Sequence, residues 1–147
     1  NIKFVEIYDP SLPFIDGNHD QLIQIFLNLI KNAAESINHD HGEIVMKTSY
    51  QHSVKVVLPG QKSQFHLPLV ISIKDNGVGV PQSLNELIFD AFVTTKSNGT
   101  GLGLALVAKL IDDHGGVIEF ESELGRTIFK VLLPMHKKKY KRVYNEI

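Results

Sequence analysis

Two asparagines four residues apart, Asn28 and Asn32, stand in a segment that is otherwise largely apolar. Asparagine is a mediocre helix former, so helix propensity gives no reason for the pair. Residues four apart share one face of a helix, and an amide oxygen is the hard, neutral kind of ligand that Mg²⁺ accepts beside waters and phosphates. The pair therefore indicates either a metal-binding face or two solvated amides on an exposed one.

An acidic residue followed by two glycines comes directly after an apolar run. Asp75 directly follows the β-type segment Leu69–Lys74, and Gly77 and Gly79 come after it. Glycines let a backbone approach a ligand closely, while a buried carboxylate can accept a hydrogen bond from an exocyclic amino group such as that of adenine. The alternative is a plain turn in which the glycines supply positive φ.

A second glycine-rich segment leads straight into a predicted helix. Gly99, Gly101 and Gly103 alternate with Thr100, Leu102 and Leu104. Free backbone N–H groups and the helix dipole at such a junction make an anion site. The spacing is neither the dinucleotide fingerprint nor a P-loop. We therefore predict phosphate binding here in preference to a bare hinge.

The interval before these glycines has the composition of a lid. Phe89 and Phe92 are followed by small polar residues and by Lys96. Aromatic anchors at one end and polar residues at the other fit a segment pinned on one side, with a cation near phosphates. An ordinary surface loop with both rings in the core is the alternative.

The surrounding pattern predicts the elements that would hold these residues. Strands are expected over 2–8, 43–50, 69–74, 117–122 and 127–133, a short strand at Phe14-Ile15, and helices over 19–38 and 102–114. Asn18 or Asp20 would cap the first helix. Residues 51–68 read as a hairpin arm or an insertion at a sheet edge. Strands and helices do not alternate regularly, which favours an α+β fold with a mixed or antiparallel sheet.

Composition limits the function classes. The chain has 147 residues, no cysteine, 43% hydrophobic and 21% charged residues, which fits one globular domain without disulfides. Its last eleven residues carry five basic side chains and one acidic one, so the remainder has ten basic against fifteen acidic. An acidic body argues against nucleic-acid binding.

No apolar run reaches the roughly 20 residues of a membrane helix. The chain does not begin with Met, so we expect a piece of a longer protein.

Taken together and in order, the motifs resemble a known set. They are similar to the N, G1, F, G2 and G3 boxes in the ATP-binding catalytic domain of sensor histidine kinases, within the gyrase–chaperone–kinase–MutL superfamily. The matching segments, in order, are Asn28–Asn32, Asp75–Gly79, Phe89–Phe92, Gly99–Gly103, Gly115-Gly116 and Gly125–Thr127. The resemblance covers about residues 1–134, which leaves 135–147 as a basic tail. The strings FDAFVTTKSNGTGLGLALVAKLIDDHGG and RTIFKVLLP resemble nitrogen-regulation kinases of the NtrB type.

The resemblance implies a fold and a role for each matching residue. The fold would be a two-layer α/β sandwich, a mixed and mostly antiparallel sheet with helices on one face. Asn32 would coordinate Mg²⁺ with Asn28 nearby, Asp75 would accept from the adenine amino group, and Lys96 would contact the γ-phosphate. Thr127 would lie near the adenine. The ATP-binding set as a whole is Asn28, Asn32, Asp75, Gly77, Gly79, Phe92, Lys96, Gly99, Thr100, Gly101, Leu102, Gly103, Leu104 and Thr127.

One position separates kinases from ATPases in this superfamily. The ATPases carry a Glu one turn before the metal-binding Asn as general base for water, and Asn28 cannot take that proton. We therefore expect a protein histidine kinase that holds ATP for phosphoryl transfer, with Asn28 and Lys96 in catalytic roles. An ATPase switch and a non-catalytic nucleotide-binding module are the alternatives. Glu35 departs from the Lys or Arg of many sensor kinases and is expected to pair with Lys31.

The phosphate acceptor is missing from the sequence. None of the seven histidines stands in a His-Glu-x-x-Asn/Arg-Pro pattern, so the resemblance places the acceptor on a dimerisation helix hairpin N-terminal to this chain. The fragment would then be monomeric and the full protein a cytoplasmic homodimer. A response regulator similar to NtrC and a PII-type signal protein are the implied partners, with no nucleic acid and no membrane contact by this domain.

Overall fold

The sheet and helices are described in a computed structural model over residues 1–52, 55–57, 60, 62 and 64–136. In chain order the elements are β1 (Ile2–Ile7), α1 (His19–Ser36), β2 (Gly42–Tyr50), β3 (Lys55–Val57), β4 (Gln64–His66), β5 (Leu69–Asp75), a 3-10 turn (Gln82–Leu84), α2 (Gly103–Asp113), β6 (Val117–Glu123) and β7 (Arg126–Leu133).

Five strands form one sheet in the order β1-β2-β5-β7-β6. The pair β1–β2 is parallel, and the other three pairs are antiparallel. Alternate residues of β5 and β7 join both helices in one apolar core, so the helices cover a single face. The predicted α+β class, a mixed and mostly antiparallel sheet under helices on one face, is confirmed.

Helix α1 begins with a side-chain cap. The backbone N–H of Gln21 donates to Asn18 Oδ1 at 3.0 Å, which satisfies one of the donors that a helix start leaves unpaired. Ile25, Leu29 and Ala33 follow at spacings of four residues and are buried against the sheet. The predicted helix over 19–38 is confirmed, and it ends at Ser36.

Helix α2 buries a different stripe from the expected one. Val107, Leu110 and Ile111 are in the core, whereas Leu102 and Leu106 are exposed. Helical spacing predicts that Leu102, Leu106, Leu110 and Ile111 lie along one face, and for the first two of these the expected burial is wrong. Apolar residues stand nearly all round this short helix, so periodicity alone does not single out the face that meets the sheet.

The start of α1 is tied to the end of α2 by one imidazole. His114 Nδ1 donates to the carbonyl of Leu110 at 2.6 Å, and its Nε2 accepts from the backbone N–H of Asn18 at 3.1 Å. The helix then stops at Gly115, whose φ of +70° is readily adopted only by glycine. This linkage fixes the relative position of the two helices that flank the site.

Two further segments lie at the periphery of the domain. The strand predicted at Phe14-Ile15 is wrong: neither residue is in a strand, and the Phe14 ring is 89% exposed. The predicted hairpin arm is confirmed by the antiparallel pair β3–β4. Within that arm the sequence predicts a strand over Val54–Leu58, and the two ends of this range lie outside the described residues. Met135 packs on the core, whereas the basic residues from 137 onward also lie outside the described range. No described helix is long and apolar enough to span a membrane.

Candidate functional site

A cavity of about 560 Å³ opens between α1, the end of β5, the start of α2 and the segment 93–101. Most of the residues singled out in the sequence line it. They are Asn28, Asn32, Asp75, Gly79, Lys96, Gly99, Thr100, Gly101, Gly103, Leu104 and Thr127. Gly77, Phe92 and Leu102 are not among the lining residues. The fold thus brings together motifs that are up to about a hundred residues apart.

Asp75 lies at the buried end of the cavity. It is the last residue of β5, pairs with Thr127 on β7, and is 2% exposed. The backbone N–H of Gly77 donates to its Oδ1 at 2.9 Å, and Ser36 Oγ lies 3.0 Å from the same atom. Both contacts fall on Oδ1, which leaves Oδ2 without a donor among the described residues.

Burial sets the charge behaviour of Asp75. Loss of water raises the pKa of this carboxyl above its ordinary value, and the bonds from Gly77 and Ser36 oppose that rise. Ionising the Asp75 carboxyl at this buried position costs free energy unless another hydrogen-bond donor binds to it. An exocyclic amino group entering the cavity would supply such a donor.

The two glycines after Asp75 have a packing role in the structure. A Cβ at Gly77 would lie 2.0 Å from Ser36 Oγ and 2.7 Å from the Ser36 carbonyl oxygen, so this loop lies directly on the end of α1. Gly79 has a φ of +81°, and a Cβ there would meet the Glu123 carbonyl oxygen at 2.5 Å. Gly77 therefore holds the Asp75 loop in place without itself reaching the cavity.

The asparagine pair of α1 faces the cavity as its spacing predicts. Asn28 Nδ2 donates to the Gln24 carbonyl at 3.0 Å. Its Oδ1 lies close to α2, because a Cβ at Gly103 would come within 3.5 Å of it. Asn32 Oδ1 accepts from Lys96 Nζ at 3.0 Å. The amide oxygens are thus directed toward the lid and the start of α2.

Lys96 connects the lid segment to α1. Besides Asn32, its ammonium contacts Glu35 Oε2 in a short ion pair, and Lys31 Nζ lies 3.8 Å from the other oxygen of Glu35. The expected pairing of Glu35 with Lys31 is present, and Lys96 is the closer partner. The Lys96 ammonium holds the pKa of the Glu35 carboxyl below its ordinary value.

The lid is anchored by Phe89. Its ring meets those of Phe120 and Phe129 edge-on at centroid distances of 6.5 and 6.3 Å. Phe92 is 77% exposed and has a φ of +67°, so it does not anchor the lid with its ring. Its backbone N–H instead donates to the carbonyl of Gly101 at 2.9 Å, which closes the loop between them.

Thr127 is held at the opposite wall. It is 3% exposed, and its Oγ1 lies 2.9 Å from Ser122 Oγ, which accepts from the Val80 N–H at 2.8 Å. This chain of hydroxyls fastens the segment after Gly79 to the β6–β7 hairpin. Thr127 and Asp75 thereby stand side by side at the buried end.

Sequence reasoning missed two residues that position Asp75. Ser36 contacts its carboxylate and stands one turn after Asn32, so helical spacing could have identified it. Asn76 fixes the following loop, since its Oδ1 accepts from the Glu43 N–H at 2.7 Å and its Nδ2 donates to the His41 carbonyl at 2.8 Å. No local pattern announces these long-range partners.

Comparisons with known proteins agree with this geometry. The family model described as histidine kinase-, DNA gyrase B- and HSP90-like ATPase matches residues 17–137. The chain belongs to this family. The family's description as ATPases supports ATP as the nucleotide. The match also confirms the predicted resemblance to the ATP-binding domain of histidine kinases.

Individual relatives point to sensor kinases. The chain is 64% identical over 135 residues to the sensory histidine kinase/phosphatase NtrB of Azospirillum brasilense, which covers 92% of this chain and 34% of that protein. Across the NtrB proteins that it matches, the chain spans roughly a third of their length.

Solved histidine kinase structures share the fold. The nucleotide-free catalytic domain of ThkA superposes with a TM-score of 0.69 at 28% identity, covering 90% of this chain and 80% of that one. Full-length ShkA in complex with AMPPNP gives 0.67 at 27% identity, covering 92% of this chain and 27% of that one. The two-layer α/β sandwich predicted from the resemblance is thus confirmed.

Proposed function

We propose that this domain binds ATP with Mg²⁺ and presents the γ-phosphoryl group to a histidine on a domain outside this chain. The observation that carries the proposal is the buried carboxylate of Asp75 at one end of a cavity whose other end holds Asn32 and the lid. Among the described residues, one oxygen of this carboxylate is hydrogen-bonded and the other has no donor. The Asp75 end of the cavity suits a base that carries an amino group, and the end with Asn32 and the lid suits phosphates.

The base end acts through Asp75 and Thr127. Asp75 accepts a hydrogen bond from the adenine amino group, which compensates the cost of its ionisation in a buried place. Thr127 lies beside it and orients the base. Gly79, with its backbone against the β6–β7 hairpin, forms the adjoining wall.

The phosphate end acts through α1, the lid and the start of α2. Asn32 Oδ1 is a hard oxygen on the cavity wall that already accepts from an ammonium group, so its chemistry fits Mg²⁺. When bound, Mg²⁺ would neutralise charge on the phosphates. The N–H groups near Gly101 and Gly103 and the N-terminus of α2 supply further positive potential, and Lys96 contacts the γ-phosphate. Thr100, Leu102 and Leu104 complete this segment.

Transfer depends on positioning. The bond between the γ-phosphorus and its bridging oxygen breaks as a bond to the imidazole nitrogen forms, and ADP leaves. Asn28 stands where the ATPases of the superfamily place a general base, and its amide cannot deprotonate water. The domain therefore holds ATP until an aligned nucleophile arrives, and isolated hydrolysis is slow. Rapid hydrolysis by the isolated domain would instead support the ATPase alternative.

Partners follow from the same proposal. The acceptor histidine belongs to a dimerisation domain of the full protein, which acts as a cytoplasmic homodimer, while this domain alone is monomeric. A response regulator of the NtrC type receives the phosphoryl group, and a PII-type protein regulates the kinase. The similarity to NtrB of A. brasilense supports this assignment.

Calorimetry with ATP and Mg²⁺ tests the proposal. Asp75→Asn keeps the shape but presents an amide to the adenine amino group, so ATP affinity falls at least about tenfold. Asp112→Asn makes the same chemical change on an exposed residue of α2 and leaves affinity unaltered. Equal affinities for the two variants, with normal thermal unfolding of both, would refute the adenine assignment.

A further inference from the structure

Two oxygen atoms of α1 converge on one cation. Asn32 and Glu35 are three residues apart on the same helix face. Lys96 Nζ lies 3.0 Å from Asn32 Oδ1 and closer still to Glu35 Oε2. An ammonium group and a metal ion both seek hard oxygens. The arrangement is therefore a cation site whose occupant is a side chain of the lid.

We propose that Asn32 and Glu35 form one cation seat, filled by Lys96 in the metal-free domain and by a divalent ion when nucleotide is bound. The inference rests on the proposed function, because it takes Asn32 as the metal-binding residue and adds Glu35 to it. One carboxylate and one amide are few ligands for Mg²⁺, which completes its shell with waters and phosphates. Metal alone should therefore bind weakly.

The cation seat explains how an acidic residue, Glu35, can stand near the proposed phosphate end of the cavity. Glu35 would repel phosphates if its charge were uncompensated, but a cation lies against it in either state. Among the described residues, no group of three or more histidines or acids could hold a metal ion. An ion in this cavity consequently relies on the two-residue seat and on the ligand.

Exchange of the two cations couples the metal to the lid. A divalent ion that enters the seat displaces the Lys96 ammonium and breaks the ion pair between the lid and α1. The released Lys96 is then free to contact the phosphates. Lys96 thus acts as a built-in competitor of the metal, and its removal should strengthen metal binding in the absence of nucleotide.

Paramagnetic broadening by Mn²⁺ alone tests this exchange. The ¹H–¹⁵N spectrum of the nucleotide-free domain is titrated with Mn²⁺ to about millimolar concentration. Amides of residues 32–36 and 94–99 should broaden first. Lys96→Met should bind Mn²⁺ about two- to fivefold more tightly, in line with the strength of an exposed ion pair. Glu35→Gln should bind it about fivefold or more weakly.

Lys31→Met is the matched control. It also removes one positive charge beside Glu35, but its ammonium lies 3.8 Å from the carboxylate, and its hydrogen-bond contacts do not include Asn32. Its effect on Mn²⁺ affinity should be less than half that of Lys96→Met. Equal effects of the two lysine variants, or broadening that does not centre on residues 32–36, would overturn the proposal. The spectral dispersion of each variant reports that it is folded.

Failure here is distinguishable from failure of the proposed function. The titration contains no nucleotide, whereas the ATP assignment is tested through Asp75. Loss of ATP affinity in Asp75→Asn together with equal Mn²⁺ binding by the two lysine variants would retain the nucleotide site and discard the shared seat.

Discussion

A Cβ atom at Gly101 would lie 2.4 Å from the carbonyl carbon of Phe92 and 2.6 Å from its Cα. The two backbones touch because the Phe92 N–H donates to the Gly101 carbonyl. Both residues have positive φ, of +68° and +67°. Only glycine reaches the first of these without strain and without a clash, so Gly101 determines the closed base of the lid.

Gly101→Ala should therefore open the lid base and lower ATP affinity about tenfold or more. Gly125→Ala is its control, since Gly125 has a φ of +79° with nothing within 4 Å of the added Cβ. A left-handed alanine costs about 1–2 kcal/mol, so the control lowers the melting temperature by roughly 2–8 °C. Calorimetry should show its ATP affinity intact. Similar affinities for both variants would contradict this account.

Asn32→Ala should remove most of the Mg²⁺ dependence of ATP binding. The amide oxygen that fits the metal is lost, and affinity in Mg²⁺ should fall about tenfold, toward the value measured with a chelator. Asn38→Ala alters an exposed asparagine just beyond α1 and serves as control. A Mg²⁺ titration of Asn32→Ala that matches the control would count against the metal role.

Because of Asp75, the free energy of unfolding should decrease as pH rises. Burial raises its pKa in the folded state above the unfolded value, so its contribution is fully present below the unfolded pKa and is lost as pH rises through the folded pKa. Asp75→Asn lacks this titration. Denaturant unfolding of the ligand-free protein should show the variant gaining stability relative to wild type between acidic and neutral pH. A constant difference across that range would contradict the shift.

His114→Ala should loosen the contact between the two helices. Its imidazole satisfies the Asn18 N–H and the Leu110 carbonyl, and the loss of both bonds should reduce the free energy of unfolding by about 1–3 kcal/mol. His19→Ala is a control, because among the described residues that exposed ring hydrogen-bonds only to the neighbouring Asp20. Urea denaturation measures both, and equal midpoints would argue against the linkage.

The sequence predicted the elements and motifs better than their contacts. Helix α1 was predictable because its cap, Asn18, and its apolar spacing are local features. The strand at Phe14-Ile15 was not, since Phe14 bonds through its carbonyl to His136, far along the chain. Local β propensity gave no information about that partner.

In the site too, local sequence features predicted some residues, whereas others depend on long-range contacts. The candidate oxygen ligands and the glycines were predicted from residue type and spacing, and the cavity brings most of them together. The ion pair between Lys96 and Glu35 joins residues sixty-one positions apart, and neither carries a signal for the other. Phe92 was predicted as an anchor from its type, whereas its backbone makes the contact.

Helix α1 sets a fixed length between the two ends of the cavity. Ser36 contacts the Asp75 carboxylate, and Asn28 lies beside Gly103 at the opposite end. The eight residue-to-residue steps from Asn28 to Ser36 span about 12 Å at the rise of an α-helix. Because the helix is rigid, the proposed base end and phosphate end of the cavity keep this separation. Deleting one residue after Asn32 would turn the two ends about 100° out of alignment, so a change in the length of this helix would disrupt the site.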